Sequence, residues 1–255
     1  MKKLESTTKI ANDPNLKFVL GLADKDEIEE LQKLRYDELI LDYDSSKSAG
    51  GLDASEYDNF CDHLIVKDIE TNKIVGTYRL MTNKHLVNKN EFICECEFDI
   101  TKLKNCSENI LELGRAVVHK DYRQGTVLKL LWSGIMDYSR INNVRYLFGT
   151  ASFHGVNPAD YNNAFSKIYY NNLASDDIMC KAKNPCAPLN VLKPEEVDAI
   201  KAKSETPSLI KGYLAMGCKA GKDAFIDYDF NSTDIMIILD LQNINTAYFN
   251  RMFSV

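Results

Sequence analysis

The stretch that most restricts the fold of this chain runs from Glu108 to Phe153 and reads strand, helix, strand. "ENILELGRAVVH" is an apolar strand. "TVLKLLWSGIMDYSRI" is a helix with Val127, Leu130, Leu131 and Tyr138 on one side, and "VRYLFGTASF" is a second strand. That order is a βαβ unit, which implies parallel pairing around a crossover and an α/β fold. The polar turn His119–Gly125 joins the first strand to the helix. A helix start leaves backbone N–H groups unpaired, and with the helix dipole they attract phosphate. Here Gln124, Gly125 and Thr126 supply those donors, with Arg123 beside them as a charged one. The plainer alternative is an ordinary helix start after a surface turn.

Glu112 and Arg115 interrupt the first strand. In a regular strand they point to opposite faces, because the side-chain period is two. A β-bulge near Gly114 would bring both toward one cleft and bend the strand from its neighbour. The alternative is a solvated pair on an edge strand.

Elsewhere, residues 16–23 read as a first strand. Residues 24–43 read as a helix with acids at its start and Ile28, Leu31, Arg35 and Leu39 on an apolar stripe. Arg35 either snorkels from the edge of the stripe or turns inward, where it requires a partner. Residues 45–60 are a loop carrying Asp53 and Asp58. Residues 61–81 form a hairpin with "ETNK" as its turn. Residues 155–206, with Pro158, Pro185 and Pro188, read as an insertion of one or two short helices with mobile parts. A short helix follows over 208–217, closed by Gly217. "FIDYDF" and "DIMIILDL" form a closing strand pair, and the last residues either pack or fray. His63 and His119 read as structural hydrogen-bonding residues.

Twelve Gly and six Pro in 255 residues fit one globular domain spanning the chain. A net charge of −6 disfavours a nucleic-acid partner. No apolar run approaches the roughly 18–20 residues that span a bilayer, and the start "MKKLESTTKI" lacks a secretory apolar segment. The expected location is cytoplasmic. Seven cysteines, with no C-x-x-C, read as free thiols. Cys94 and Cys96 would share a face if extended, but no companion ligands complete a metal site, so none is expected.

"HKDYRQGTVLKLLW" after a strand resembles the acyl-donor loop of the Gcn5-related N-acyltransferase fold. "FGTASF" resembles its fifth strand, and "IKGYLAMGCKA" its last helix and following strand. In combination, "LRYDELI", "YDNFCDHLIV", "VGTYRLM", "LELGRAVVHKDYRQGTVLKLLW", "YLFGTASF" and "LIKGYLAMGCKA" are similar to the ornithine N-acyltransferase family, often labelled hemolysin-like, over roughly residues 16–250. The resemblance implies a mixed central sheet with splayed strands, flanked by helices, with an inserted helical segment before the last helix.

It also implies transfer of a fatty acyl group, typically 3-hydroxyacyl, from acyl carrier protein to the α-amine of an amino acid, ornithine first, giving a lyso-ornithine lipid. No tightly bound cofactor is implied beyond the acyl-phosphopantetheine donor. Contact with the inner membrane would come through the product. The shared positions look like Arg35, Asp53 with Asp58, Arg79-Leu80, and Glu112 with Arg115. On this reading Glu112 is the base. Backbone N–H groups around Arg115 to Val117 polarise the thioester carbonyl. Arg35 and Arg79 bind the amino-acid carboxylate, and Asp53 and Asp58 hold ornithine's second amine.

The donor loop departs from the R-x-x-G-x-G/A pattern of acetyl-CoA users: Thr126 and Leu128 occupy the usual glycine positions and Gly125 remains. That suits a carrier-protein arm with a single phosphate better than CoA. Lys120, Arg123, Lys129, Arg140 and Arg145 are candidates for docking an acidic carrier protein. Ser55 stands where acyl-homoserine-lactone synthases carry an acid, which weakens that reading. The alternatives are an N-acyl amino acid or acyl-lactone signal synthase, and a catalytically silent regulator that binds acyl chains or a carrier protein.

Overall fold

A computed structural model describes residues 17–41 and 50–253. Leu16, the helix reading beyond Leu41, residues 45–49 of the loop and the polar N-terminus lie outside the described residues. The strands are β1 (Phe18–Leu22), β2 (Asp62–Asp68), β3 (Ile74–Thr82), β4 (Phe98–Asp99), β5 (Asn109–Val118), β6 (Val144–His154), β7 (Lys181–Ala182), β8 (Cys186–Pro188), β9 (Lys219–Asp227) and β10 (Ser232–Asp240). The principal helices are α1 (Ile28–Arg35), α2 (Thr126–Ile141), α3 (Asn162–Asn172), α4 (Ala199–Glu205), α5 (Ser208–Met216) and α6 (Thr246–Phe253). The chain divides into two compact units: Met1–Asn90, Leu111–Val144 and Phe249–Val255 form the first, Glu91–Ile110 and Arg145–Tyr248 the second.

In the first unit β1, β2, β3 and β5 pair antiparallel in that order. The strand alternation sends Leu64 and Ile65 to opposite faces. Helix α2 lies on the Leu64 face, and two glycines let it come close. A Cβ on Gly134 would stand 2.9 Å from Leu64, and one on Gly76 2.5 Å from Val127. Helix α1 covers the other face, with Leu31 and Leu34 against Ile65, Ile74 and Val117. Each fully buried side chain of this kind contributes about 1.5–3 kcal/mol. Phe249 and Phe253 pack on Trp132, with ring centroids 6.2 and 5.3 Å away, so the end of the chain is packed.

The helix expected over 24–43 starts as a 3-10 turn capped by Glu27, whose carboxylate accepts the Asp24 N–H at 2.8 Å. It runs through α1 and widens into a π turn over Tyr36–Ile40. The widened turn breaks the 3.6-residue period. Glu38 and Ile40 therefore face inward, and Leu39 is only half-buried.

In the second unit β6, β10, β9 and β8 pair antiparallel in that order. Phe153 meets Phe165 of α3 edge-on at 4.9 Å, and Phe92 meets Phe148 at 5.1 Å. Phe148 and Phe153, like Leu131 and Trp132 of the first unit, are packed core side chains. Gly217 ends α5 at φ +104°, a value that favours glycine. The closing strand expected over 225–230 begins earlier, at Lys219, because it pairs along its length with β10, and Tyr228–Phe230 belong to the turn.

The insertion holds the expected helices α3 and α4 and also two strands. β7 pairs with β4, and β8 adds to the edge of β9, where Pro188 is tolerated. Cys94 and Cys96 do not share a face. They lie in a 3-10 turn that buries the first and exposes the second. All seven cysteines are free. Among the described residues no helix is long and apolar enough to cross a membrane.

Candidate active site

Arg35 ends α1, one helical turn after Leu31, and its side chain is fully buried. A buried guanidinium must be paired, and here the loop between α1 and β2 supplies the partners. Nη1 donates to Asp58 Oδ1 at 3.1 Å and Nη2 to Asp58 Oδ2 at 2.6 Å. Nη2 also donates to the Asp53 carbonyl, and Nε lies 2.9 Å from Asp53 Oδ2. The loop is fastened to α1 a second time through Gln32, whose carbonyl accepts from Asp53 N at 3.2 Å and whose amide donates to Asp58 Oδ2 at 2.9 Å. Ser55 caps the short turn Glu56–Asn59, and its own N–H donates to Asp58 at 3.2 Å.

Strand β5 brings the third arginine. Thr77 of β3 is opposite Val117 and Arg79 is opposite Gly114. One β3 residue, Tyr78, therefore faces two on β5, Arg115 and Ala116, which is a β-bulge. Arg115 has φ +50°, a left-handed conformation that costs a non-glycine residue about 1–3 kcal/mol. The bulge directs Arg115 to the loop, where Nε donates to Asp53 Oδ2 at 2.9 Å, the oxygen that also faces Arg35. Arg79, opposite Gly114, sends Nη1 to Asp58 Oδ1 at 3.3 Å and keeps a buried Nε with no hydrogen-bond partner. Glu112, two residues before Gly114, lies on the same sheet face as Arg79 and is 4% exposed. The strand register shows the bulge expected beside Gly114, and Arg115 there meets the same loop as Arg79.

Arg35, Arg79 and Arg115 thus meet Asp53 and Asp58, three cations against two anions. Burial would raise the Asp58 carboxyl, but the hydrogen bond and charge of Arg35, the Gln32 amide and the charge of Arg79 hold it down to about 2. Burial, then the charge of Arg115, works against the protonated form of Arg79. Burial keeps His63 below its ordinary range, so it is a neutral ring with Nε2 3.1 Å from the Asp58 carbonyl. Burial pushes the nearby Cys61 up to about 12, leaving a thiol rather than a nucleophilic thiolate.

The turn His119–Gly125 stands between β5 and the start of α2, as the sequence suggested. Gly125 is the N-cap of α2 at φ +103°, and His119 accepts from Asp121 N at 3.2 Å. Arg123 is engaged: Nη2 donates to the buried Glu38 at 2.8 Å and Nε to the Val118 carbonyl at 3.2 Å. Gln124 and Thr126 line a cavity of about 500 Å³ together with Asp68, Glu70 and Asp121. Lys17 lines the same cavity, so one cation stands among three carboxylates, and a phosphate there relies on the backbone N–H groups at the start of α2. The Val117 side chain belongs to the core under α1, so only its backbone is available to a ligand. Sequence reasoning missed Gln32 and Glu38. Gln32 stands three residues before Arg35 on the same helix face, a spacing that signals a shared partner.

A family profile described as an acetyltransferase (GNAT) domain matches residues 34–133, which hold Arg35, the acidic loop, Arg79, Arg115 and the start of α2. An L-ornithine N(alpha)-acyltransferase of Rhodobacter capsulatus is 32% identical over 242 residues, covering 89% of this chain and 91% of the relative. A protein of the same name from Brucella abortus is 34% identical over 233 residues, covering 87% and 83%. Among solved structures, the CoA-dependent acyl-homoserine lactone synthase MesI matches with a TM-score of 0.50 at 13% identity, over 92% of this chain and 95% of that one, a likeness of fold.

The Asp58 environment sets a pH dependence. Its folded pKa lies below the roughly 3.9 of an unfolded aspartate. Its stabilisation is therefore complete above about pH 5 and disappears as pH falls from about 4 to 2. Asp58→Asn should lower the unfolding free energy at pH 7 by about 3–5 kcal/mol, because it leaves buried arginines short of a partner. It should also flatten the acid limb. Urea unfolding between pH 7 and 2 checks this, and parallel wild-type and variant profiles would contradict it.

Proposed function

The chain belongs to the L-ornithine N(alpha)-acyltransferase family and is an N-acyltransferase of the GNAT fold, and from that premise we propose that it transfers a fatty acyl group, 3-hydroxyacyl by preference, from acyl carrier protein to the α-amine of ornithine, giving a lyso-ornithine lipid. The observation that carries this reading is the Arg35–Asp53–Asp58–Arg79–Arg115 cluster joined to the bulge of β5.

Of the three arginines, Arg115 has the accessible guanidinium, with its side chain 28% exposed; the buried Nε of Arg35 and that of Arg79 both lack a hydrogen-bond partner, and Arg79 stands on the strand beside the bulge that carries Arg115. Arg79 and Arg115 take the amino-acid carboxylate, for which a planar fork is suited. Arg35, shut off from solvent and bound to both aspartates, acts on the acceptor by holding the loop. The second amine of ornithine falls to Asp53, since both oxygens of Asp58 are engaged.

Glu112 removes a proton from the α-ammonium, directly or through a water. The neutral amine attacks the thioester carbonyl, and backbone N–H groups from Arg115 to Val117, at the bulge of β5, hold the oxyanion. The C–N bond forms, the C–S bond breaks, and the pantetheine thiolate leaves and takes up the second proton that the attacking nitrogen gives up. No nucleophilic side chain takes part, in keeping with the protonated Cys61.

For the carrier protein, the basic side chains differ in availability. Arg123, Arg140 and Arg145 are paired with Glu38, Asp137 and Asp240. Lys120 and Lys129 are then the cations that meet the acidic partner. The phosphate of its arm is received at Gln124–Thr126, where Thr126 and Leu128 replace the glycines that CoA users carry.

Expression in a bacterium without ornithine lipids, followed by lipid mass spectrometry, should reveal an amide-linked hydroxyacyl ornithine. An acyl-lactone product would favour the signal-synthase reading, and no product at all would overturn transfer. Glu112→Gln should reduce kcat about 10²–10⁴-fold with little change in KM, and full turnover removes Glu112 as the base. Charge reversal at Lys120 and Lys129 together should raise KM for acyl carrier protein and leave KM for ornithine unchanged, whereas equal KM values for the carrier would remove the docking proposal.

A further inference from the structure

In the second unit, far along the sequence from the residues above, Asp234 is the third residue of β10. Its neighbours in register are Ser152 on β6 and Phe225 on β9. Ser232 of β10 is opposite Asp227 of β9, so Asp227, Ser232 and Asp234 share one sheet face. Phe98 of β4 packs against Phe225 on that face, with ring centroids 6.4 Å apart, and this brings the preceding Glu97 over the strands. One carboxylate oxygen from each of Glu97, Asp227 and Asp234 lies within 4.8 Å of the others.

Asp234 is unlike the other buried aspartates of the chain. Asp53 and Asp58 each meet arginines. Asp234, only 5% exposed, has an Oδ1 with no hydrogen-bond partner. Burial pushes its carboxyl up to about 6 against the hydrogen bonds of Ser152 and Ser232, and the neighbouring charge is a second carboxylate, Asp227. Asp227 uses Oδ1 to accept from Asp229 N and Phe230 N at 2.8 and 3.0 Å, which fixes its position in the turn and leaves Oδ2 for another partner. A buried carboxylate oxygen with no hydrogen-bond partner, held beside two further carboxylates, is electrostatically costly.

We propose that Glu97, Asp227 and Asp234 bind a hard divalent cation, Ca²⁺ in preference to Mg²⁺. The donors are all oxygens, which select these ions over zinc or copper. Ca²⁺ accepts irregular sets of protein oxygens with bonds of about 2.3–2.6 Å, whereas Mg²⁺ demands near-ideal octahedral geometry with bonds of about 2.0–2.1 Å. The ion ties the segment before β4 to β9 and β10 and so stabilises the second unit. This role is independent of acyl transfer and of the residues assigned to it.

The test uses the full chain, stripped with EDTA and dialysed, then titrated separately with CaCl₂ and MgCl₂ by calorimetry and thermal unfolding. At a Ca²⁺ concentration about a hundredfold above Kd, Tm should rise by about 5–10 °C. Asp234→Asn should abolish that rise, and in EDTA it should be at least as stable as the wild type, because it removes a buried charge. Glu97→Gln, a change at a partly exposed position, should weaken binding at least tenfold and serves should Asp234→Asn fail to fold. A response to Mg²⁺ alone supports the site with the smaller ion. Absence of heat and of any Tm shift with both ions at millimolar concentration overturns the proposal, as does an undiminished shift in both variants.

Discussion

The buried guanidinium of Arg35 is the constraint on which the first unit's site depends. A cation removed from water in this way is tolerable only with closely placed anions, and the chain provides two from one loop, Asp53 and Asp58. That requirement fixes the loop against α1 and sets where Asp53 presents its carboxylate. The same Asp53 oxygen then receives Arg115 across a sequence gap of 62 residues. The loop, helix α1 and strand β5 are thereby linked through one carboxylate, while Asp58 joins α1 to Arg79 of β3.

The β5 bulge is the second element of the arrangement, and its strain has a purpose consistent with the cluster. A regular strand would turn Arg115 away from Glu112. Placing one extra residue opposite Tyr78, with Arg115 in a left-handed conformation, directs Arg115 to Asp53 instead. The ion pair with Asp53 stabilises a backbone conformation that would otherwise be unfavourable. The Arg115–Asp53 ion pair and the backbone geometry of the bulge are thus coupled through one residue.

Much of this was legible in the sequence. The strand–helix–strand run over 108–153 appears with its helix over Thr126–Ile141, because the apolar period of that segment is unambiguous. The inward position of Arg35 followed from its place on the Leu31 stripe, though only the structure decides between snorkelling and burial. Three features were hidden for physical reasons. The π turn after Arg35 changes the helical period locally, so Glu38 emerged as a buried partner of Arg123 that no regular helix predicts. β7 and β8 are two and three residues long and owe their conformation to pairing with distant strands rather than to any pattern of their own. Asp234 looked like an ordinary polar start to an apolar strand, since its burial comes from pairing with β6 and from the covering segment around Phe98.

The coupling between Arg115 and Asp53 is the most direct test of this account. A double-mutant cycle with Arg115→Gln and Asp53→Asn, read as kcat/KM for the amino-acid acceptor, isolates it. If the shared carboxylate sets the arginine that receives the acceptor, the two losses are non-additive by at least about 1.5 kcal/mol, with the double variant little worse than the poorer single one. Losses that simply add, within about 0.5 kcal/mol, would show that the loop and the bulged strand act separately and would contradict the account.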